Sequence, residues 1–413
     1  MSKRRQTLAL QILSVVAVIF MIGYVTIPHM SGGPPSLARP GTKIDYKNLT
    51  NPVTTPKEVT NKDFMSGSGP GNANMVTKKP KVKAAFVMLA RNSNLDGARS
   101  SIQQMEDRFN RNFNYPYIFL NDEEFTDEFK EMTSSMTKAQ TFYGVVPREH
   151  WSYPDHIDTE KAAETRRTME EKGIIYGGSE SYRHMCRYQS GFFFRHPLLD
   201  GYEYYWRVEP DISYFCDVDY DVFQMMKDND YKYGWTVSLT EYMETIPTLW
   251  KTTRDFFQQN PQYLAPKGES VEPWLTDNNF ETYNGCHFWS NFEIGSLEFL
   301  RSEAYMKYFE HLDRAGGFFY ERWGDAPVHS LAVAHMLPSD QIHFFNDIGY
   351  LHNPLTHCPT EKYLRAKCHC NSAVNFDWDA WSCANRYKRL VPDFVWNEKT
   401  YNEKTDPYRI SKK

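Results

Sequence analysis

The chain reads as an α/β protein: a body with a mixed, largely parallel central sheet behind a single N-terminal transmembrane helix and a stem. Three observations point to this. Ala84-Ala85-Phe86-Val87-Met88-Leu89-Ala90 is a buried-strand run, followed by a helix-spaced apolar set and a second strand at Tyr115–Leu120. Strand, helix, strand at this spacing is a βαβ unit, which requires a parallel pairing. Further on, the aromatic run Tyr204-Tyr205-Trp206-Arg207-Val208 stops abruptly at Glu209-Pro210-Asp211, because proline cannot continue a central ladder. Ahead of the body, Lys3-Arg4-Arg5 precedes the apolar run Leu8–Ile27.

That first run is about 20 residues long, enough to span a bilayer, and basic residues before it keep the N-terminus cytoplasmic. Ile27-Pro28-His29-Met30 offers no small-x-small cleavage site, so an uncleaved anchor is expected over a signal peptide. The expected layout is a cytoplasmic tail at 1–7, an anchor at 8–27, a flexible stem at 28–80 and a luminal catalytic domain at 81–413. The stem carries Gly32-Gly33-Pro34-Pro35 and Ser66-Gly67-Ser68-Gly69-Pro70-Gly71, with few large apolar residues to offset the entropy of ordering it. Asn48-Leu49-Thr50 within it is a glycosylation sequon, usable only in the lumen.

In the body, the helix after the first strand places Ile102, Met105, Phe109 and Phe113 on one face. The intervening turn, Arg91-Asn92-Ser93-Asn94, lies where a nucleotide base or ribose is commonly received. Asp158 to Glu164 starts a polar helix that Gly173 should end, and Tyr182 to Phe194 reads as helical. Tyr231, Tyr233, Trp235 and Val237 alternate as a strand. A helix through Leu297, Leu300, Ala304, Tyr308 and Leu312 should close at Gly316-Gly317, and a short apolar helix follows Asp325 through Leu331, Val333 and Met336. A last strand is expected over Ile342–Phe345.

Charge and cysteine narrow the function class. The net charge is −5, yet basic residues dominate the first 83 positions, where the only acids are Asp45, Glu58 and Asp63. The body is therefore markedly acidic, which argues against nucleic acid as a partner. Neither GxGxxG nor GxxxxGK[ST] occurs, so neither a dinucleotide fold nor a P-loop is supported. All 7 cysteines lie in the body, and an oxidising lumen favours disulfides with at least one thiol left over. Cys368-His369-Cys370 with Cys358 and Cys383 matches no usual zinc spacing.

Candidate chemistry falls at predicted element ends, where loops on a rigid scaffold hold reactive groups. Glu209 and Asp211 at a strand end could hold a divalent cation against a diphosphate, or form an ordinary acidic turn. Glu293, Asp325 and His352 are the other such positions. Taken singly, Glu293 reads as a helix cap near Gly295, Asp325 as an N-cap before Pro327, His352 as a loop histidine, and Tyr182 as a core aromatic.

Five stretches occur in order: Tyr182-Arg183-His184-Met185-Cys186-Arg187, Glu209-Pro210-Asp211, Tyr283 to Ile294, Trp323-Gly324-Asp325-Ala326-Pro327-Val328-His329 and Asp347-Ile348-Gly349-Tyr350-Leu351-His352. Together they resemble the signatures of the fungal Golgi α-1,2-mannosyltransferases, glycosyltransferase family 15, from about Lys81 onward. The resemblance implies a GT-A-like fold, GDP-mannose as donor, a mannose-terminated glycoprotein glycan as acceptor, Mn2+ as cofactor and retention of configuration. It also implies roles: Glu209 and His352 as metal ligands, Glu293 as nucleophile or electrostatic stabiliser, and Tyr182 at the acceptor and donor sugar. Asp325 would bind sugar hydroxyls and Asp211 would stand beside the metal, directly or through water, while Arg91, in the loop after the first strand, is the candidate for the nucleotide. A mannosylphosphate transferase of the same family, a luminal metal-dependent hydrolase and a non-catalytic mannan-binding protein are the alternatives.

Overall fold

The computed structural model describes residues 81–278 and 280–391; the tail, anchor and stem expected over 1–80 lie outside the described residues. In chain order the principal elements are β1 (Ala84–Leu89), α1 (Leu95–Met105), β2 (Tyr117–Asn121), α2 (Asp127–Ser134) and β3 (Thr141–Val145). There follow α3 (Thr159–Glu171), α4 (Glu180–Gly191), β4 (Tyr204–Arg207), β5 (Ser213–Tyr214), α5 (Val222–Asp228), β6 (Tyr233–Trp235) and β7 (Ser238–Thr240). The chain continues with α6 (Leu249–Gln259), β8 (Cys286–Phe288), β9 (Ile294–Ser296), α7 (Glu303–Ala315) and α8 (Asp325–Met336). Finally come β10 (Ile342–Phe344), β11 (Tyr350–His352) and β12 (Leu355–His357).

Seven strands form the main sheet in the order β10-β6-β9-β4-β1-β2-β3. β9 runs antiparallel to β4 and β6, and every other pairing is parallel, so the sheet is mixed and largely parallel as expected. The βαβ start is confirmed by β1 and β2 pairing in parallel, Phe86 opposite Tyr117. Alternate residues divide between two cores because successive side chains of a strand point to opposite faces. Phe86, Met88, Phe119 and Trp206 join Ile102 and Met105 of α1 on one face. Ala85, Val87, Ile118, Leu120 and Tyr205 join Tyr188, Leu312 and Leu331 from α4, α7 and α8 on the other. The result is a sheet covered on both sides, which is why its strands are near-continuous apolar runs. Two smaller sheets, β12-β11-β5 and β7-β8, complete it.

Two expected helices differ in detail. The helix through Phe113 is regular only to Met105; Glu106–Asn110 is wound wider, as a π segment, and one further turn covers Arg111–Phe113. The wider turn keeps Phe109 buried, stacked on Phe113 (4.5 Å) and tilted against Trp206 (5.4 Å). The helix expected from Leu297 to Leu312 breaks after a short Leu297–Leu300 segment. There the Ser302 hydroxyl caps α7 by accepting from the Tyr305 amide, and the Arg301 guanidinium turns away to the carbonyls of Phe194, Leu199 and Tyr202. The end of α7 is as expected, with Gly316 in the left-handed conformation at φ 76°.

Six cysteines pair as Cys216–Cys368, Cys286–Cys383 and Cys358–Cys370, and Cys186 is a buried free thiol. The Cys368–Cys370 cluster is thus tied into disulfides rather than zinc.

Candidate active site

Adjacent parallel strands end on the same edge of a sheet, and ligands of open α/β sheets bind beyond that edge. Here β4, β1 and β2 bring Glu209, then Arg91 and Asn94, then Asn121 and Asp122 to one cavity of about 760 Å3. Helices α4 and α8 add Tyr182 and Asp325, and the end of β11 adds His352. Of the residues expected at the site, Glu209, His352, Asp325, Tyr182 and Arg91 are therefore gathered around one space.

The organising cation is Arg207, the last residue of β4. Its Nε donates to Glu209 Oε1 at 2.6 Å and its terminal nitrogen to Asp325 Oδ2 at 2.6 Å, while the Ser290 hydroxyl donates to the same Asp325 oxygen at 2.7 Å. Burial works against the charge on this guanidinium, but Glu209 and Asp325 outweigh it and hold Arg207 well above its ordinary value. Conversely, burial pushes the Asp325 carboxyl up and Arg207 and His329 bring it below the ordinary carboxylate range. Asp325 is not an N-cap: Gly324 occupies that position, and the Asp325 carboxylate points to Arg207 and Ser290 instead.

His352 stands with its ring edge-to-face against Trp289 (4.9 Å, 78°), and its Nδ1 is buried without a hydrogen-bond partner. Burial lowers its pKa, with Glu209 pulling the other way, so the imidazole favours the neutral form that can donate a lone pair. Glu209 and His352 together are an oxygen and nitrogen donor set that suits Mn2+. No group of three or more His, Cys, Asp or Glu side chains able to hold a metal occurs among the described residues.

Two expected residues lie elsewhere. Glu293 does not line the cavity. It is fully buried, its carboxylate accepting from the hydroxyls of Tyr205 (2.7 Å) and Tyr233 (3.0 Å) and lying 3.0 Å from His329 Nδ1. Nor does it cap a helix, since the Ser296 hydroxyl does that. Its neighbour His329 is pushed down by burial but held above its ordinary value by the Glu293 carboxylate. The helix-cap reading of Glu293 gives way, and in this structure its carboxylate is held in the buried layer behind the cavity by Tyr205, Tyr233 and His329. Asp211 is exposed and outside the cavity. It occupies a left-handed turn (φ 61°), its amide on the Gly97 carbonyl and its carboxylate so close over Gly97 that a Cβ there would meet Oδ2 at 2.6 Å.

Tyr182 lines the cavity and also packs against the core; its hydroxyl accepts from Arg322 at 3.2 Å and its ring stacks on Tyr176 at 4.6 Å. Several lining residues were not singled out from sequence. Arg207 carried a usable signal, because an arginine inside an apolar strand must be paired. Asn121, whose amide nitrogen is buried without a partner at the end of β2, and Glu241 carried none.

A covered mixed sheet, with a cavity at its carboxyl edge that joins a carboxylate, an imidazole and a buried arginine–aspartate pair, defines a nucleotide-sugar transferase class of site. The chain belongs to glycosyltransferase family 15: the family model described as Glycolipid 2-alpha-mannosyltransferase matches residues 41–391. It is 59% identical over 316 residues to Glycolipid 2-alpha-mannosyltransferase 1 of Candida albicans, covering 76% of this chain and 73% of that one. Against Alpha-1,2 mannosyltransferase KTR1 of Saccharomyces cerevisiae it is 54% identical over 313 residues, covering 75% and 79%. Its structure is similar to core-mannan synthase A from Aspergillus fumigatus in a Mn/GDP form, with 42% identity and a TM-score of 0.71 over 79% of this chain and 92% of the other. Ktr4p from S. cerevisiae in complex with GDP matches at 43% identity and a TM-score of 0.71, over 75% and 82%.

Proposed function

We propose that this chain transfers mannose from GDP-mannose, with retention and in α-1,2 linkage, to mannose-terminated O- or N-linked glycans of glycoproteins, with Mn2+ as cofactor. The names of the relatives and the Mn/GDP and GDP complexes of the similar structures support donor, linkage and metal. The observation that carries the reading is the meeting of Glu209 with the unpartnered Nδ1 of His352 in the cavity that also holds Arg91 and Asn94. When bound, Mn2+ supplies charge neutralisation for the departing diphosphate, and Glu209 and His352 would hold it.

The chain's own groups do the rest. Arg207 fixes the Glu209 carboxylate and Asp325 at once, so metal side and sugar side are set by one rigid guanidinium. Asp325, held as a carboxylate, accepts hydrogen bonds from sugar hydroxyls, and Tyr182 offers its ring and hydroxyl beside it. Arg91 and Asn94 at the end of β1 stand toward the nucleotide. Glu293, one layer behind, holds Tyr205, Tyr233 and His329 in place; the acceptor oxygen bonds to the mannose anomeric carbon on the face where the bond to the diphosphate breaks, and its proton passes to the departing phosphate oxygen. We place the enzyme in the Golgi membrane, single-pass, with its body in the lumen. The apolar run Leu8–Ile27 and three disulfides support that compartment, since disulfides persist where the medium is oxidising.

The test is transfer from GDP-mannose to methyl α-mannoside by the full-length chain with and without Mn2+. Product that appears with Mn2+ and disappears with EDTA is expected. No product, or equal product in EDTA, overturns the assignment, and a phosphodiester-linked product would assign mannosylphosphate transfer instead.

A further inference from the structure

An enzyme that extends a glycan must let the rest of the acceptor leave through the mouth of its cavity. Among the described residues only four aromatic side chains stand clearly exposed: Tyr176 (57%), Tyr242 (43%), Trp378 (42%) and Trp381 (37%). Three of these, all but Trp378, line the one cavity described above. In a chain whose other large aromatics are mostly core, that concentration calls for a ligand.

Tyr242 and Trp381 form a built feature. Their rings meet edge to face at 5.5 Å and 67°, a geometry that uses an edge of one ring and leaves a ring face open. They come from opposite ends of the body, 139 positions apart in the numbering given, and are joined by specific bonds. The Thr240 amide, at the end of β7, donates to the Trp381 carbonyl at 3.1 Å, and the Thr240 hydroxyl adds a second bond at 3.3 Å. The Trp381 amide in turn donates to Asp379 Oδ1 at 2.8 Å. Two residues on, the Cys383 amide donates to the Ser238 carbonyl, and the Cys286–Cys383 disulfide pins this segment to β8, beside β7. On the other partner, the Tyr242 amide donates to its neighbour Glu241 Oε1 at 2.8 Å. Tyr176 differs, because one of its faces is already taken by Tyr182.

We propose that Tyr242 and Trp381 form a platform for the second sugar of the acceptor, the one to which the accepting mannose is itself attached. A pyranose offers a C–H face that stacks on an aromatic ring, with hydroxyls at its rim for Glu241 and Asp379. The platform makes these residues determinants of acceptor length and leaves the reacting atoms to the groups deeper in the cavity. This inference rests on the mannosyl-transfer reading above.

The test compares methyl α-mannoside with an α-1,2-linked mannotriose as acceptor for the full-length wild type, Trp381→Ala and Tyr242→Ala. The variants are expected to raise KM for mannotriose about tenfold, the size of one lost ring contact, with KM and kcat for methyl α-mannoside and KM for GDP-mannose unchanged. Trp381→Phe, which keeps a ring, should recover most of the mannotriose affinity, a rescue that a merely structural tryptophan would not show. Equal changes for both acceptors, or none, overturn the platform. Calorimetric binding of the two sugars provides the same comparison without turnover. A wild type that binds mannotriose in a Trp381-dependent way but transfers nothing would sink the transfer reading and keep the platform.

Discussion

Replacing Glu293 by glutamine tests whether this carboxylate anchors the site or attacks the sugar. In the wild type it is fully buried and receives the hydroxyls of Tyr205 and Tyr233, with His329 Nδ1 at 3.0 Å. Glutamine keeps the shape. Its oxygen can still accept from Tyr233, but its amide can only donate to Tyr205, whose own hydroxyl hydrogen then loses its acceptor. What disappears is the charge that strengthens three bonds. A hydrogen bond to a charged group contributes about 1 kcal/mol more than a neutral one, so Glu293→Gln should destabilise the fold by about 2–3 kcal/mol. The imidazole of His329, held up by Glu293 against burial, should fall toward the neutral form, visible by NMR as a downward shift of its titration. Turnover should drop about tenfold to a hundredfold through displaced neighbours and still be measurable. Denaturant unfolding and steady-state transfer measure the two effects. Unchanged stability together with abolished turnover, restored to Glu293→Ala by azide, would refute the anchor and make the carboxylate a nucleophile.

Glu209→Gln should raise the Mn2+ concentration needed for half-maximal activity by more than about tenfold, read by metal titration of transfer. The buried His357 lies 2.8 Å from Asp377; burial opposes its charge, but Asp377 holds it above its ordinary value. A raised imidazole adds stability below about pH 6.5 that fades as pH rises through the raised value, so a pH series of melting temperatures should lose that slope in His357→Gln. The Cys216–Cys368 disulfide closes a separation of 152 residues. Replacing both cysteines by alanine should cost about 5 kcal/mol in denaturant unfolding, from the freed entropy of the unfolded chain.

Much of the scaffold was legible in the sequence because local signals were strong there. The βαβ start showed as apolar runs flanking a 3.6-period helix, and Gly173 and Gly316 ended their helices as expected. The short strands β3, β7, β8 and β12 were not, since runs of three to five residues without alternation carry no period of their own. For the site, types and order of residues marked Glu209, Asp325, His352 and Tyr182, and the cavity gathers them. Depth was invisible: nothing in Asn291-Phe292-Glu293-Ile294 says that the carboxylate lies one layer behind the wall, because its tyrosine and histidine partners are 36 to 88 positions away. Asp211 is off the cavity wall for a local reason, its left-handed turn laying the carboxylate over Gly97.

The most direct measurement is the NMR structure of the disaccharide formed from GDP-mannose and methyl α-mannoside by the full-length enzyme in Mn2+. The account predicts a single α-1,2-linked mannobioside, formed only when Mn2+ is supplied. A β-linked or phosphodiester-linked product, or the same product from a Glu209→Gln, His352→Ala enzyme in EDTA, would contradict it.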